Sequence, residues 1–147
     1  MPDEQTPDLA EDGVEVLDTT GDGEPDTIAI DVDGDGQADM VGSVETFETD
    51  TTGDGKNDTA GIVETVAVDL DGDGEPDVVE TTTTIATDVD GDGVADVIET
   101  TTVTVGDTTG DGEADAVEVT RVTQVDLDGD GEPDIVQVEE GIVLDDD

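Results

Sequence analysis

The sequence predicts an all-β repeat fold, and three observations carry that expectation. A nonapeptide rich in Asp and Gly returns at a fixed 19-residue step. The ten residues between copies are dense in Val, Ile and Thr, whose branched β-carbons favour strands. Their apolar residues recur at every second position, the period of a strand and not of a helix.

Taken in order, residues 1–13 (MPDEQTPDLAEDG) are acidic and carry Pro2 and Pro7, so a flexible tail is expected there, ahead of one repeat domain over residues 14–147. The stretch has neither a basic nor an apolar region of the kind a signal peptide needs. A short apolar piece, Val14–Leu17, follows. Nonapeptides then begin at Asp18, Asp31, Asp50, Asp69, Asp88, Asp107 and Asp126; the first step is 13 residues and the other five are 19. The spacers are MVGSVETFET, TAGIVETVAV, VVETTTTIAT, VIETTTVTVG and AVEVTRVTQV, with IVQVEEGIVL closing the series.

Within the spacers Ala60, Ile62, Val66 and Val68 share one phase, as do Val79 and Ile85, and Val117, Val119 and Val125. Glu80, Thr82, Thr84, Glu118, Thr120 and Gln124 hold the other. This reads as strands with one apolar and one polar face, with Glu64 and Arg121 as exceptions on the apolar side and Val63 and Val122 on the polar side. The short unit Thr27–Ile30 drops six residues, an even number, and keeps the phase as a shortened strand would. A single-layer sheet has no core, so two facing sheets or a closed sheet are expected. A two-sheet β-solenoid or β-roll of parallel strands, two units to a 38-residue coil, is the favoured arrangement. The alternative is an antiparallel meander or barrel in which each nonapeptide is a hairpin loop.

Charge frames the function. The chain holds 46 Asp and Glu against two basic residues, Lys56 and Arg121, for a formal net charge of -44. Such self-repulsion opposes compaction, and with Phe47 as the one aromatic the composition alone resembles a disordered chain. The fixed spacing of the carboxylates argues for order once cations offset the charge. Absence of Cys and His excludes thiolate zinc sites and Cys- or His-based catalysis. Lack of a basic surface argues against nucleic acid or an anionic membrane as partner. No apolar run reaches the ~20 residues of a membrane helix.

The nonapeptides suit calcium, which takes six to eight oxygen ligands in an adaptable shell. In DLDGDGEPD, carboxylates stand at positions 1, 3, 5 and 9: Asp69, Asp71, Asp73 and Asp77. Gly74 at position 6 allows positive φ at the sharp bend, Gly72 adds freedom, and Glu75 at position 7 would offer its carbonyl. Three more loops hold the full set: Asp31, Asp33, Asp35 and Asp39; Asp88, Asp90, Asp92 and Asp96; Asp126, Asp128, Asp130 and Asp134. Three loops have Thr at position 3 (Thr20, Thr52, Thr109), leaving Asp18, Asp22 and Asp26; Asp50, Asp54 and Asp58; and Asp107, Asp111 and Asp115 as ligands. Weaker calcium binding is expected there, weakest where Lys56 adds a positive charge. Magnesium wants a stricter octahedron, and transition metals want N or S donors that the loops lack.

The pattern D-x-D-G-D-G-x-x-D followed by two apolar residues, seen in DLDGDGEPDVV, DVDGDGVADVI and DLDGDGEPDIV, resembles the calcium loop of FG-GAP/VCBS-type repeats. The resemblance implies a strand–calcium loop–strand unit with Asp at positions 1, 3, 5 and 9 as ligands. It covers the loops and their flanks, and does not extend to a propeller, since 19 residues cannot supply a blade of about four strands. Glu80, Glu99 and Glu118 stand at position 12, where an EF-hand has its bidentate Glu, but strand-forming segments follow in place of a helix. The glycine-rich repeat of RTX-type β-rolls is absent.

These readings combine into a non-enzymatic structural repeat protein whose folding is driven by calcium at seven loops, in a secreted or cell-surface setting. Paired carboxylates could serve a glycosidase, but calcium accounts for them and one aromatic leaves little for sugar stacking. The alternative is a surface ligand-binding module, ice-binding or adhesive, built on Thr81–Thr84 and Thr100–Thr102, with a protein or carbohydrate partner left open.

Overall fold

Every nonapeptide in the chain reverses its direction. The computed structural model describes residues 13–144. In it the main-chain N–H of each ninth-position Asp donates back to the carbonyl of the residue before the loop, as Asp77 does to Val68 at 2.9 Å and Asp134 to Val125 at 2.9 Å. Entry and exit of each loop are thereby held side by side, and the flanking segments must pair antiparallel. The strands are β1 (Val14–Leu17), β2 (Thr27–Ile30), β3 (Met40–Thr49), β4 (Thr59–Val68), β5 (Val78–Thr87), β6 (Val97–Gly106), β7 (Ala116–Val125) and β8 (Ile135–Leu144). They form one antiparallel sheet in the order β1 to β8, with no helix among the described residues. The expected acidic tail lies outside the described residues except for Gly13, as do residues 145–147.

The all-β class and the strand bounds agree with the expectation. The parallel two-sheet coil does not form: the loops act as hairpin connections, and the sheet is an open meander, not closed into a barrel. From β3 to β8 each neighbouring pair is in register over all ten residues, for example Val78↔Gly106 through Thr87↔Val97.

The single layer follows from the odd repeat length. A step of 19 residues places equivalent repeat positions on opposite faces of successive strands, because side chains alternate with period 2. Directly paired residues share a face. The register therefore puts Ile62, Val66 and Val68 of β4 on one face with Val14, Val16, Ile28 and Met40. It puts Val79 and Ile85 of β5 on the other, with Val97, Val103 and Val105 of β6 and Val117, Val119 and Val125 of β7. The apolar stripe thus changes face partway along the sheet, and neither face gathers enough of it for a core. Among the described residues only Ala29, Thr59 and Asp126 are buried. With no core face, Arg121 sits half exposed and pairs its Nε with Glu99 Oε1 at 3.8 Å. The Thr patches lie in cross-strand pairs: Thr82 with Thr102 and Thr84 with Thr100, each at 3.1 Å between hydroxyl oxygens.

The meander sorts the loops. Loops 31–39, 69–77 and 107–115 line one end of the sheet, and loops 50–58, 88–96 and 126–134 the other. Neighbours at one end are bonded together, since the first Asp of a loop donates its N–H to the ninth Asp carbonyl two loops earlier. The short strands β1 and β2 hold loop 18–26 back from the end, where the Asp26 carbonyl accepts from Val44 N–H at 2.9 Å.

Candidate metal centre

All seven loops share one scaffold, and the first Asp organises it. One carboxylate oxygen accepts the N–H of the position-4 Gly and the other that of the position-6 Gly: Asp69 from Gly72 at 2.7 Å and Gly74 at 2.8 Å, Asp126 from Gly129 and Gly131 at 2.8 Å each. To aim both N–H groups inward the chain must pass twice through positive φ, 78° at Gly72 and 90° at Gly74. Side-chain-bearing residues avoid this region, which explains the Gly at both positions. The position-5 carboxylate accepts the position-7 N–H, as Asp73 does from Glu75 at 2.8 Å and Asp130 from Glu132 at 2.8 Å. The ninth Asp accepts the position-2 N–H, as Asp96 does from Val89 at 2.6 Å and Asp134 from Leu127 at 2.8 Å.

These donors hold carboxylates charged. The glycine N–H groups, that of Gly74 foremost, lower the Asp69 pKa below the ordinary carboxylate value. Asp50 is lowered chiefly by Gly55, Asp107 by Gly110 and Asp126 by Gly131. Asp126 is also buried, and lines a small cavity with Ala95, Asp96, Ile98 and Pro133.

In four loops three carboxylates converge. Oxygens of Asp31, Asp33 and Asp39 lie within 4.8 Å of one another, and so do those of Asp69, Asp71 and Asp77; Asp88, Asp90 and Asp96; and Asp126, Asp128 and Asp134. These are positions 1, 3 and 9 of the four loops with the full Asp set. Asp35, Asp73, Asp92 and Asp130, expected as fourth ligands, stand outside the groups, turned to the position-7 N–H. Among the described residues Asp18, Asp22 and Asp26, Asp50, Asp54 and Asp58, and Asp107, Asp111 and Asp115 form no such group.

The threonine loops differ at a second position that the sequence reading passed over. Where position 3 is Thr, position 2 is Thr as well: Thr19, Thr51 and Thr108. Their hydroxyls donate to the ninth Asp, Thr19 to Asp26 and Thr51 to Asp58 at 2.6 Å, Thr108 to Asp115 at 2.7 Å. These bonds, first among the causes, lower the pKa of Asp26, Asp58 and Asp115. Where position 3 is Asp, position 2 is Val32, Leu70, Val89 or Leu127, which carries no hydroxyl.

Each Asp trio offers hard oxygen donors alone, close enough together to share one ion, which fits a divalent cation of the oxygen-seeking kind. Three clustered anions with no basic residue among them are a costly arrangement without a cation. Comparison with protein families, with characterised proteins and with solved structures gave no match. The repeated Asp groups and the regular strand array together have the features of a metal-loop repeat.

Proposed function

We propose that the chain is a calcium-binding structural repeat protein whose sheet is made stable by calcium at its Asp-rich loops. The observation that carries this reading is the repeated convergence of three carboxylates on one point at positions 1, 3 and 9. Calcium is favoured over magnesium because the remaining ligands would come from carbonyls and water around an adaptable loop. The sheet supplies the second reason. With almost nothing buried, hydrophobic burial contributes little, while a net charge of -44 opposes order. Binding energy at the loops then becomes folding energy.

The chain's own residues divide the work. The first Asp fixes the loop through its two glycine donors, the third and ninth complete the anionic site, and the ninth-position N–H ties the hairpin shut. The protein is a scaffold and not an enzyme on this reading, and calcium-rich surroundings outside the cell suit it. The spacing of Asp in the loops resembles that of FG-GAP/VCBS-type calcium loops. The threonine patches serve strand pairing before any ligand.

Circular dichroism during a calcium titration, reversed with EDTA, tests the proposal. The expected result is a β signal that grows with calcium and collapses on chelation. A β signal indifferent to EDTA would overturn coupled folding, and no heat of binding by calorimetry would overturn calcium binding itself.

A further inference from the structure

The strands contain no Asp. Every Asp of residues 13–144 lies in a loop between strands, so the flat faces of the sheet carry only scattered Glu and Arg121. The net charge of -44 is thus concentrated away from the faces. The two faces also differ. Across β4 to β8, the face with Ile62 and Val66 carries Glu64, Glu80, Glu118 and Glu140 and no basic residue. The opposite face carries Glu99, Arg121 and Glu139, and Arg121 pairs with Glu99. On it Ala67, Val79, Val105, Val117 and Val143 are partnered in turn from strand to strand, one unbroken aliphatic row across five strands. None of the five is buried, and Val143 is 69% exposed.

We propose that this second face of β4 to β8 is the docking surface for a second copy of the chain, which stacks on it and turns two single layers into a sandwich. The inference goes beyond the calcium reading and needs only that the sheet be formed. Area, charge and symmetry select a second copy. With strands about 4.8 Å apart and a rise of about 3.4 Å per residue, five ten-residue strands present about 800 Å². A specific interface of standard size covers about that area on each partner. A basic partner would be drawn to the loops, whereas a nearly neutral aliphatic face fits a face of its own kind.

Symmetry supplies the fit. A two-fold axis along β6 keeps each row level with its equivalent. It sets Val105 against Val105 of the second copy, Val79 against its Val117, and Ala67 against its Val143. Glu139 then meets Val63, and Arg121 meets Thr83. Glu99 alone faces its own copy, and each Glu99 has Arg121 at 3.8 Å beside it. What opposes the pair is its loops, which stack about 10 Å apart with like charge. At an ionic strength of about 1 M the screening length falls to about 3 Å, so salt strengthens this interface where it would weaken one held by ion pairs.

Sedimentation equilibrium of the full chain, with calcium present, tests the assembly. Twice the chain mass is the expected result, with the share of dimer rising between about 0.1 M and about 1 M NaCl. A single-chain mass at both salt levels overturns the proposal. So does a mass that climbs past two chains, which marks open-ended pairing and not a closed two-fold contact. The chain has no Cys, so Thr101→Cys on this face and Thr102→Cys on the other each introduce one thiol. Maleimide should label the first about tenfold more slowly once about nine chains in ten are paired. Equal rates, or slower labelling of the second, overturn the choice of face. Val105→Glu and Thr102→Glu repeat the comparison by charge: the first should abolish the dimer and the second should leave it, and a dimer that survives Val105→Glu overturns the proposal.

Discussion

The N–H of Asp69 donates to the carbonyl oxygen of Asp39 at 2.9 Å, so the first Asp of one loop hangs from the last Asp of another. The same bond joins Asp107 to Asp77, and at the opposite end Asp88 to Asp58 and Asp126 to Asp96. Candidate sites at one end of the sheet are therefore physically continuous, and sites at opposite ends are separated by a ten-residue strand.

Coupling should follow these rows. Asp71→Ala removes one of the three converging carboxylates and should lower the calcium count by one. Amide chemical shifts should then move in loops 31–39 and 107–115, at the same end, and stay in place in loop 88–96. Equal changes at both ends would show that the rows do not act as units.

Gly74 makes a sharper test of the loop scaffold. Its φ of 90° brings its N–H to Asp69, and a Cβ there enters a backbone region that costs about 1–2 kcal/mol. Gly74→Ala should weaken calcium binding at this loop by about tenfold for each 1.4 kcal/mol lost. Gly106→Ala is the control: it has ordinary backbone geometry and open space around it, and should change affinity little.

Much of this architecture could be read from the residues. The ten-residue spacers coincide with strands β3 to β8, because Val, Ile and Thr at period 2 end where the Asp-Gly loops begin. The four loops in which three carboxylates converge were legible from Asp at position 3. Strand direction was not, since it depends on the bond from the ninth-position N–H to the residue before the loop, which leaves no mark on the repeat period. The layer count was missed for a related reason: the apolar phase common to Ile62 and Val66, Val79 and Ile85, and Val117 and Val119 looks like one face until the odd repeat step and the pairing register put β4 on one side and β5 and β7 on the other. The spacing marks Asp73 as a ligand candidate but does not carry the direction of its carboxylate, which accepts the Glu75 N–H. Thr51 carried a visible signal, its constant company with Thr52, but its meaning needed the distance to Asp58.

Phe47 and Gly61 face each other across β3 and β4, with the ring lying over the glycine. A Cβ at Gly61 would collide with several ring carbons. Gly61→Ala should push the half-exposed Phe47 ring aside and destabilise the calcium-loaded protein by less than the about 1–3 kcal/mol that overpacking a dense core costs. Phe47→Ala in the same chain should return part of that loss. A double-mutant cycle by thermal unfolding measures it, and strict additivity of the two changes would deny the contact.

Acid should discharge the Asp58 carboxylate only below the ordinary carboxylate range. Asp58 is held charged by the Thr51 hydroxyl and main-chain donors, so its pKa is depressed in the folded state. A depressed folded-state pKa contributes stability that is present above the unfolded value, ~3.9, and is lost as pH falls through the folded value. Carboxylate titration followed by NMR should show Asp58 still ionised below pH ~3.9, where an unperturbed Asp is half protonated. Thr51→Val keeps the shape and removes the donor, so the Asp58 midpoint should rise toward the ordinary value and the low-pH limit of loop 50–58 should move up with it. If Asp58 titrates at the ordinary value in the folded chain, the hydroxyl does not hold the carboxylate.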